Sequence, residues 1–413
     1  MKKFLAIMLA AVMLFAFAAC GGNTATDGNA TNGNATEGNA TAGDVADDFK
    51  VGAIYINSKN DTAGYTYAHH NGITTAMKAL GLDVEKQLFI VDEVLEDKAA
   101  VLAAIDTLIG NGADIIFGIS FGYIEAMAEA AETYPDVIFS HGTGYMSNET
   151  NFNNYFGRAY QARYLAGLAA GLKSLETGNN NVGYVAAFGT EYAETASGIN
   201  GFALGVQAAN PDAKLYVKTL GNWADEINES AFAKELIESY NCGVISQHCD
   251  SAQPQIAAEN AGVFGCGYNS DMTADAPKAH LTAAIWNWDV YYSTAIKAAM
   301  DCGTADKFVA TIGGPAYYGG LKEGFVDVSP LSENCAEGTA EAIEAVRALM
   351  VNGEWDVFSG VKLSIAEDGS IVKTDAALFD NQGNEIVAAG GASVEDSVIT
   401  GTMNYFVEGV ELA

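Results

Sequence analysis

The sequence is poor in basic residues. Its 413 residues include 20 Lys and Arg against 52 Asp and Glu, which gives a formal net charge of −32 at pH 7. A surface this acidic repels phosphate backbones and anionic lipid headgroups. We therefore expect no nucleic acid partner, and any attachment to a membrane needs a cause other than surface charge.

Signatures of metal and nucleotide sites are also absent. The sequence contains no G-x-x-x-x-G-K-[ST], no H-E-x-x-H and no EF-hand loop, and its six cysteines form no C-x-x-C pair and no zinc spacing. His69 and His70 are adjacent, so their rings would point to different sides of a helix, and we interpret His69 as a structural hydrogen-bonding residue. We expect neither a metal nor a cofactor. The five cysteines after Cys20 leave disulfide pairing open.

The apolar run at residues 4–19 is too short and too early in the chain for a membrane-spanning helix. Two lysines precede it and Cys20 follows it, an order typical of a secretory signal peptide. The small residues directly before Cys20 resemble a bacterial lipoprotein cleavage box, although Phe17 stands where that pattern prefers Leu. The resemblance implies a signal peptide at residues 1–19 and lipid on Cys20. The alternative is an ordinary secreted protein in which Cys20 is incidental.

The next segment, residues 21–48, contains Val45 as its one branched apolar residue. Such a composition cannot bury enough surface to fold, so we expect residues 20–48 to be a disordered tether that begins at the lipidated cysteine. Its repeated Asn-Ala-Thr triplets match the N-glycosylation acceptor pattern, and a flexible spacer accounts for them equally well.

From Phe49 onward, short β-rich runs alternate with amphipathic stretches of helical length. This alternation predicts βαβ units and parallel sheets. The length of the chain and its 49% of apolar residues are sufficient for two hydrophobic cores. Two segments, one starting at Leu108 and one at Leu236, repeat the same order of helix end, strand, polar loop and helix, which suggests a duplicated lobe.

Ligands of open parallel sheets bind beyond the carboxyl ends of the strands. The loops expected at this edge carry aromatic rings, Asp, Asn and Gln, and two facing sets of such loops would enclose a small, flat, polar ligand. After the first strand, a nucleotide-binding unit would have a glycine-rich turn, but this chain has "NDTAGYTYAHHNG" at residues 60–72. We expect polar recognition from five loop residues: Asp61, Asn222, Gln247, Asp250 and Asp271.

One segment matches a catalytic pattern. The stretch "GISFG" at residues 118–122 has the form of the G-x-S-x-G nucleophile elbow in a strand-turn-helix context. His280 with Asp271 or Asp250 would supply the remaining members of a triad in the required order. No His-Gly-Gly loop precedes Ser120, and a tight turn that lets the backbone approach a ligand accounts for the same glycines. A secreted serine hydrolase is therefore an alternative, and we expect no enzymatic activity.

Several segments resemble one known family, the basic membrane protein (BMP) family of lipoproteins, which are substrate-binding components of ABC importers related to purine nucleoside receptors. The match runs in order from about residue 51 to about residue 361. The segments that carry it include "GYTYAHHNG", "NNYFGRAYQARYLAGLAAG", "LGNWADEINE", "ISQHCDS", "GYNSDM" and "APKAHLTAAIWNWDVYY".

The resemblance implies an α/β type I periplasmic-binding-protein fold, with two Rossmann-like lobes that contain parallel sheets and are joined by a three-crossing hinge. We expect residues 50–170 plus 283–325 to form one lobe and residues 171–282 plus 326–410 to form the other. The resemblance also implies lipid anchoring at the extracytoplasmic face of the cell membrane and ABC permease and ATPase subunits as partners. A ligand-sensing lipoprotein that is not coupled to import is a further alternative.

For the ligand, the resemblance implies a purine base or nucleoside held between two aromatic rings, and Tyr65 and Trp223 match those positions. Asp271 matches a carboxylate that contacts the ligand. Trp286 stands where the nucleoside receptors have a lysine that contacts the sugar, and this substitution favours a free base over a nucleoside. The ligand-binding residues expected from all these arguments are Asp61, Tyr65, Phe121, Trp223, Gln247, Asp250, Asn269, Asp271 and Trp286.

Overall fold

Strands form where the chain carries short runs of branched and aromatic residues, and helices form in the amphipathic stretches between them. The computed structural model describes residues 48–62 and 64–413, so the predictions for the signal peptide, Cys20 and nearly all of the tether lie outside the described residues. None of the helices in the described part is long and apolar enough to cross a membrane. Its five cysteines all carry free thiols: Cys242, Cys249, Cys266, Cys302 and Cys335.

The described residues form seventeen strands. In chain order they are β1 (Val51–Ile54), β2 (Leu88–Val91), β3 (Ile115–Gly118), β4 (Ile138–Gly142), β5 (Phe152–Gly157), β6 (Asn181–Ala186), β7 (Lys214–Thr219), β8 (Val244–His248), β9 (Phe264–Asn269), β10 (His280–Trp286), β11 (Ala316–Gly319), β12 (Val326–Val328), β13 (Val361–Ile365), β14 (Ile371–Asp375), β15 (Leu378–Phe379), β16 (Glu385–Val387) and β17 (Val410–Leu412).

The α-helices connect most of these strands. They are α1 (Gly64–Ala79), α2 (Val84–Gln87), α3 (Lys98–Gly110), α4 (Ile124–Thr133), α5 (Ala159–Thr177), α6 (Ala193–Ala209), α7 (Glu226–Tyr240), α8 (Gln253–Ala261), α9 (Trp288–Asp301), α10 (Phe308–Ile312), α11 (Thr339–Val351) and α12 (Asp396–Gly401).

Two large sheets organise the fold. The first has six parallel strands in the order β11-β5-β4-β3-β1-β2, and Val51 of its β1 pairs with Leu88 on one side and Ile115 on the other. The second has seven strands in the order β12-β10-β9-β8-β6-β7-β17, all parallel except β12, which is antiparallel to β10. We call the first sheet with its helices lobe 1 and the second lobe 2. Two small hairpins, β13–β14 and β15–β16, are separate.

The chain passes between the two sheets three times. It leaves lobe 1 after β5, returns between β10 and β11, and enters lobe 2 again between β11 and β12. This arrangement confirms the predicted fold, in which two parallel-sheet lobes share three connections. The residue boundaries of the lobes stay a prediction, since the described residues pack as one compact unit.

Helices α5 and α6 pack against each other unusually closely. A Cβ atom at Gly205 of α6 would lie 2.1 Å from the carbonyl oxygen of Tyr164 in α5, so only glycine permits this separation. The packing matters for function because α5 carries Arg163 in its buried face and α6 begins with Glu194 in its first turn. The close contact of the helices thus fixes a guanidinium group near a carboxyl group.

Candidate functional site

A cavity of about 320 Å³ lies where the carboxyl ends of strands from both lobes face each other. This is the edge at which ligands of parallel sheets bind, and the volume suits a small heterocycle. Lobe 1 lines the cavity with Ile56, Asn57, Tyr65, Leu95, Glu96, Ile119, Ser120, Phe121 and Thr143. Lobe 2 lines it with Glu194, Asn222, Trp223, Ala224, His248, Asp250 and Tyr268.

Aromatic rings from both lobes line the cavity. The hydroxyl of Tyr65 donates to the carbonyl oxygen of Ile119 at 2.5 Å, and its ring meets that of His69 edge-on with 4.3 Å between centroids. In lobe 2, Trp223 packs against Phe188 at 4.9 Å between centroids. These contacts hold each ring in place at the edge of the cavity, as stacking on a flat ligand requires.

The two lobes touch beside the cavity. Gly64, the first residue of α1, has φ +85°, and a Cβ atom there would lie 1.9 Å from the backbone oxygen of Asp250 in lobe 2. Only glycine combines this backbone conformation with so close an approach. The described conformation is therefore a closed one, in which the lobe 1 backbone abuts the loop after β8.

Asp250 is a predicted polar residue that lines the cavity, as Asn222 does. The Oδ1 of Asp250 accepts a hydrogen bond from Nδ2 of Asn269 at 3.1 Å. Burial raises the pKa of Asp250 to about 8, and the nearby carboxyl groups of Glu229, Glu194 and Asp61 contribute to the shift. Asn269 itself has φ +69° at the end of β9, a conformation that aims its side chain at Asp250.

Gln247 lies away from the cavity. Its Nε2 donates to the backbone oxygens of Ser251 at 2.6 Å and Cys249 at 3.2 Å, and its Oε1 accepts from Gln255 at 3.0 Å. These bonds brace the loop that carries Asp250, so the structure gives Gln247 a supporting position.

Asp271 and Trp286 lie on a second, smaller cavity of about 220 Å³, which Asn269 also lines. Asp271 accepts hydrogen bonds from the backbone and the hydroxyl of Thr273. The Trp286 ring stacks on Trp288 with 4.6 Å between centroids. The Nε1 of Trp286 donates to the hydroxyl of Tyr268, which does line the main cavity, so Trp286 reaches that cavity through Tyr268.

Asp61 lies on the loop after β1, close to three other acidic side chains and outside the lining of the main cavity. Partial burial raises its pKa, and Glu93, Asp92 and Glu226 add to the effect.

The structure therefore brings Tyr65, Phe121, Trp223 and Asp250 together and places the other predicted residues around them. The roles of all nine stay predictions.

Three charged or titratable residues at this site were not among the sequence predictions. Glu194 lines the cavity, and burial raises its pKa to about 7, with the Arg163 charge opposing the shift. The His248 ring lies beside it, with 3.6 Å between Nε2 and Glu194 Oε1. Arg163 is 1% exposed, and its guanidinium lies 3.7 Å from the centroid of the Tyr268 ring. A lone arginine in the apolar run "ARYLAGLAAG" was the available sequence signal for a buried charge.

Several of these polar groups lack partners. Among the described residues, Nε and Nη2 of Arg163, both ring nitrogens of His248 and Oδ1 of Asn269 are buried without a hydrogen bond. An unpartnered buried polar atom costs roughly 1–3 kcal/mol, and of these three residues His248 lines the main cavity, where a polar ligand could supply the missing hydrogen bonds. No three metal-ligating side chains in the described part of the chain could hold an ion together.

Ser120 has surroundings unlike those of a catalytic serine. Its hydroxyl donates to Oε1 of Glu96 at 2.5 Å, and the same oxygen accepts from the backbone N–H of Gly122 at 2.8 Å. Nε2 of His141 contacts the backbone oxygen of Ser120 at 2.7 Å, and His280 lies next to Ser329 and Asp271. Within the described residues no histidine is hydrogen-bonded to the Ser120 hydroxyl. Glu96 stabilises a tight turn here, and the hydrolase alternative is not favoured.

Comparisons with known proteins agree with this geometry. A family model described as Bmp, ABC transporter substrate-binding protein PnrA-like, matches residues 49–358. A purine-binding protein from Brucella abortus is 32% identical over 88% of this chain and 93% of its own length. The ABC transporter glucose-binding protein TsgA13 of Haloferax volcanii, whose name marks the assignment as provisional, is 36% identical over 60% of this chain, which spans only 59% of its length.

The fold is also found among solved structures. An ABC transporter solute-binding protein from Aeropyrum pernix superposes with a TM-score of 0.61 at 17% identity, covering 78% of this chain and 94% of that one. At this identity the likeness shows the fold alone. It confirms the two-lobed periplasmic-binding-protein architecture derived above.

The lobe contact at Gly64 can be tested with a matched pair of variants. Gly64→Ala should weaken binding of any ligand that the closed lobes hold by about tenfold or more, because the closed state then meets a steric clash at Asp250. Gly81 has φ +80° and no atom within 4 Å of a built Cβ, so Gly81→Ala carries the same backbone strain without the clash. Both variants should lose stability, and only Gly64→Ala should lose affinity in calorimetric titration. Equal affinities would show that the contact is absent from the bound state.

Asp250→Asn should stabilise the ligand-free protein in a pH-dependent way. The pKa of Asp250 rises from about 4 in the unfolded chain to about 8 in the folded one, so wild-type stability falls as pH increases between these values. The variant has no carboxyl group at this position, so its stability lacks this pH dependence. In thermal unfolding, its free energy of unfolding should exceed that of wild type only slightly near pH 5 and by on the order of 1–3 kcal/mol near pH 8. Asp136→Asn, at an exposed carboxylate, is the control. A constant difference across this pH range would contradict the burial argument.

Proposed function

We propose that this chain, which belongs to the Bmp family of PnrA-like ABC transporter substrate-binding proteins, binds a purine base or nucleoside between its two lobes. The observation that carries the proposal is the cavity itself, which aromatic rings of both lobes line together with Asp250. Proteins of this family act outside the cytoplasm and deliver solutes to a membrane permease driven by an ATPase. Binding and release by lobe closure require no chemistry on the ligand.

A purine suits the cavity better than a monosaccharide. Tyr65, Phe121 and Trp223 present ring faces and edges to one enclosed space, and stacking contributes on the order of 1–3 kcal/mol per base. The purine-binding relative covers nearly the whole of this chain, whereas the relative named for glucose matches over 60% of it. Asp250 adds an acceptor for an exocyclic amine or a ring N–H of the base.

Within the purines, the site favours the free base. None of the described residues that line the cavity is a lysine or an arginine. The side chain of Trp286 is an apolar ring that stacks on Trp288, in the segment where related nucleoside receptors have a lysine for the sugar. A ribose hydroxyl would therefore be desolvated without a cationic donor, at a cost of roughly 1–3 kcal/mol.

Calorimetric titration with adenine, guanine, adenosine, guanosine, inosine and glucose tests the proposal. A base should bind at least as tightly as its nucleoside, by up to about a hundredfold, and glucose should not bind. Trp223→Ala should weaken base binding by about tenfold to a hundredfold through the lost stacking. Tyr240→Ala is the control, since that ring packs on Tyr216 in the same lobe away from the cavity. A clear nucleoside preference would show that another residue contacts the sugar, with Asp61 and Asn269 the first to examine.

Membrane attachment is proposed to run through lipid on Cys20, which lies outside the described residues. Two or more acyl chains, at about 0.8 kcal/mol per buried methylene, would hold the protein at the membrane despite its net charge of −32. Cys20→Ser should therefore release the protein into the medium, as measured by immunoblotting of cell and supernatant fractions. Equal retention of variant and wild type on the cells would contradict the lipid anchor.

A further inference from the structure

Two carboxyl groups, those of Glu194 and Asp250, line the same enclosed cavity. Neither has a basic group within hydrogen-bonding distance among the described residues. Asp250 is bonded to the neutral amide of Asn269, and Oε1 of Glu194 lies 3.6 Å from the imidazole of His248. The guanidinium of Arg163 donates to the backbone oxygen of Gln247 instead. A carboxylate pair of this kind is unfavourable when both members are ionised.

The surrounding charges reinforce this conclusion. Among the described residues, the Arg163 charge opposes the rise in the pKa of Glu194, while burial and the Arg163 charge keep the pKa of His248 below the usual range, so that the ring stays neutral. Glu229 and Asp61 add negative charge near Asp250. With the pKa of Glu194 raised to about 7 and that of Asp250 to about 8, the pair holds about one proton between these pH values. One ionised carboxylate then balances the charge of Arg163.

A second observation indicates that a ligand meets this pair. His248 is 1% exposed, lines the cavity and has no hydrogen-bond partner at either ring nitrogen in the described part of the chain. Oδ1 of Asn269, directly behind Asp250, is also without a partner. The carboxyl pair is therefore part of a built polar surface that is incomplete without a bound molecule.

We propose that Glu194 and Asp250, two carboxyl groups on one cavity, together hold one proton, so that they recognise an uncharged purine through one donor and one acceptor and exclude anionic purines. This proposal rests on the proposed function and deepens it. A 6-aminopurine presents an amine donor beside a ring-nitrogen acceptor, and a 6-oxopurine presents a carbonyl acceptor beside a ring N–H. One carboxylic acid and one carboxylate complement either edge, whereas two carboxylates can only accept.

The proposal makes binding depend on pH with a definite sign. The complex holds the shared proton throughout. Affinity is therefore constant over the pH range in which the free site also holds that proton. Above about pH 8 the free site loses that proton, and each further pH unit should weaken binding by up to about tenfold. Binding in this range takes up a proton from the buffer. Nucleoside monophosphates and urate add negative charge to a site that already carries a carboxylate, and they should not bind.

The test is isothermal titration of the full-length protein with adenine and adenosine, which both stay uncharged between about pH 6 and 9, in two buffers of different ionisation enthalpy. Wild type should show the loss of affinity and the proton uptake. Asp250→Asn replaces the group that loses the proton above about pH 8 with a fixed donor and acceptor, so it should bind adenine within about tenfold of wild type at pH 7 and lose most of the pH dependence. Glu238→Gln, at an exposed position of α7, should behave as wild type.

The outcomes separate the two proposals. Adenine binding with the same affinity at every pH, or an Asp250→Asn variant that keeps the wild-type pH dependence, overturns the shared proton and leaves purine binding intact. Tight binding of adenosine monophosphate also overturns it. Failure of every purine to bind at every pH overturns the proposed function itself. Circular dichroism of each variant confirms that a loss of binding is not a loss of folding.

Discussion

The closed approach of the lobes at Gly64 is the constraint on which the rest of the site depends. Because the lobe 1 backbone abuts the carbonyl group of Asp250, the loop after β8 is shielded from solvent on that side. The same closure brings Tyr65 of lobe 1 and Trp223 of lobe 2 onto one cavity. Burial at this cavity disfavours the charged form of a carboxyl group, and it raises the pKa of both Glu194 and Asp250 above the usual range.

Helix packing inside lobe 2 supplies the other half of the site. Gly205 lets α6 approach α5 closely, and this approach places buried Arg163 near Glu194 at the start of α6. The guanidinium lies over the Tyr268 ring, so part of its charge interacts with an aromatic face. The contact between α5 and α6 in the core therefore determines which charged groups lie at the cavity at the end of the sheet.

The sequence predicts the fold and part of the site, for physical reasons that can be separated. Alternating strand and helix patterns predict parallel sheets, and the rule that ligands bind at strand carboxyl ends selects the loop that carries Asp250. The family resemblance adds Tyr65 and Trp223. The rule does not resolve which face a strand residue occupies. Neighbours in β8 point to opposite faces, so His248 reaches the cavity while Gln247, predicted to bind the ligand, braces the adjacent loop.

Charge burial is the property that sequence patterns describe least well. Glu194 stands in a predicted polar loop and Arg163 in an apolar helix, and neither pattern shows that the two meet. Their meeting requires the packing of α5 on α6, which depends on contacts between residues distant in sequence. The unpartnered groups around the cavity destabilise the empty protein, and a ligand that satisfied them would bind the closed state in preference to the open one. The groups that weaken the empty fold would then supply the affinity and the selectivity of the filled one.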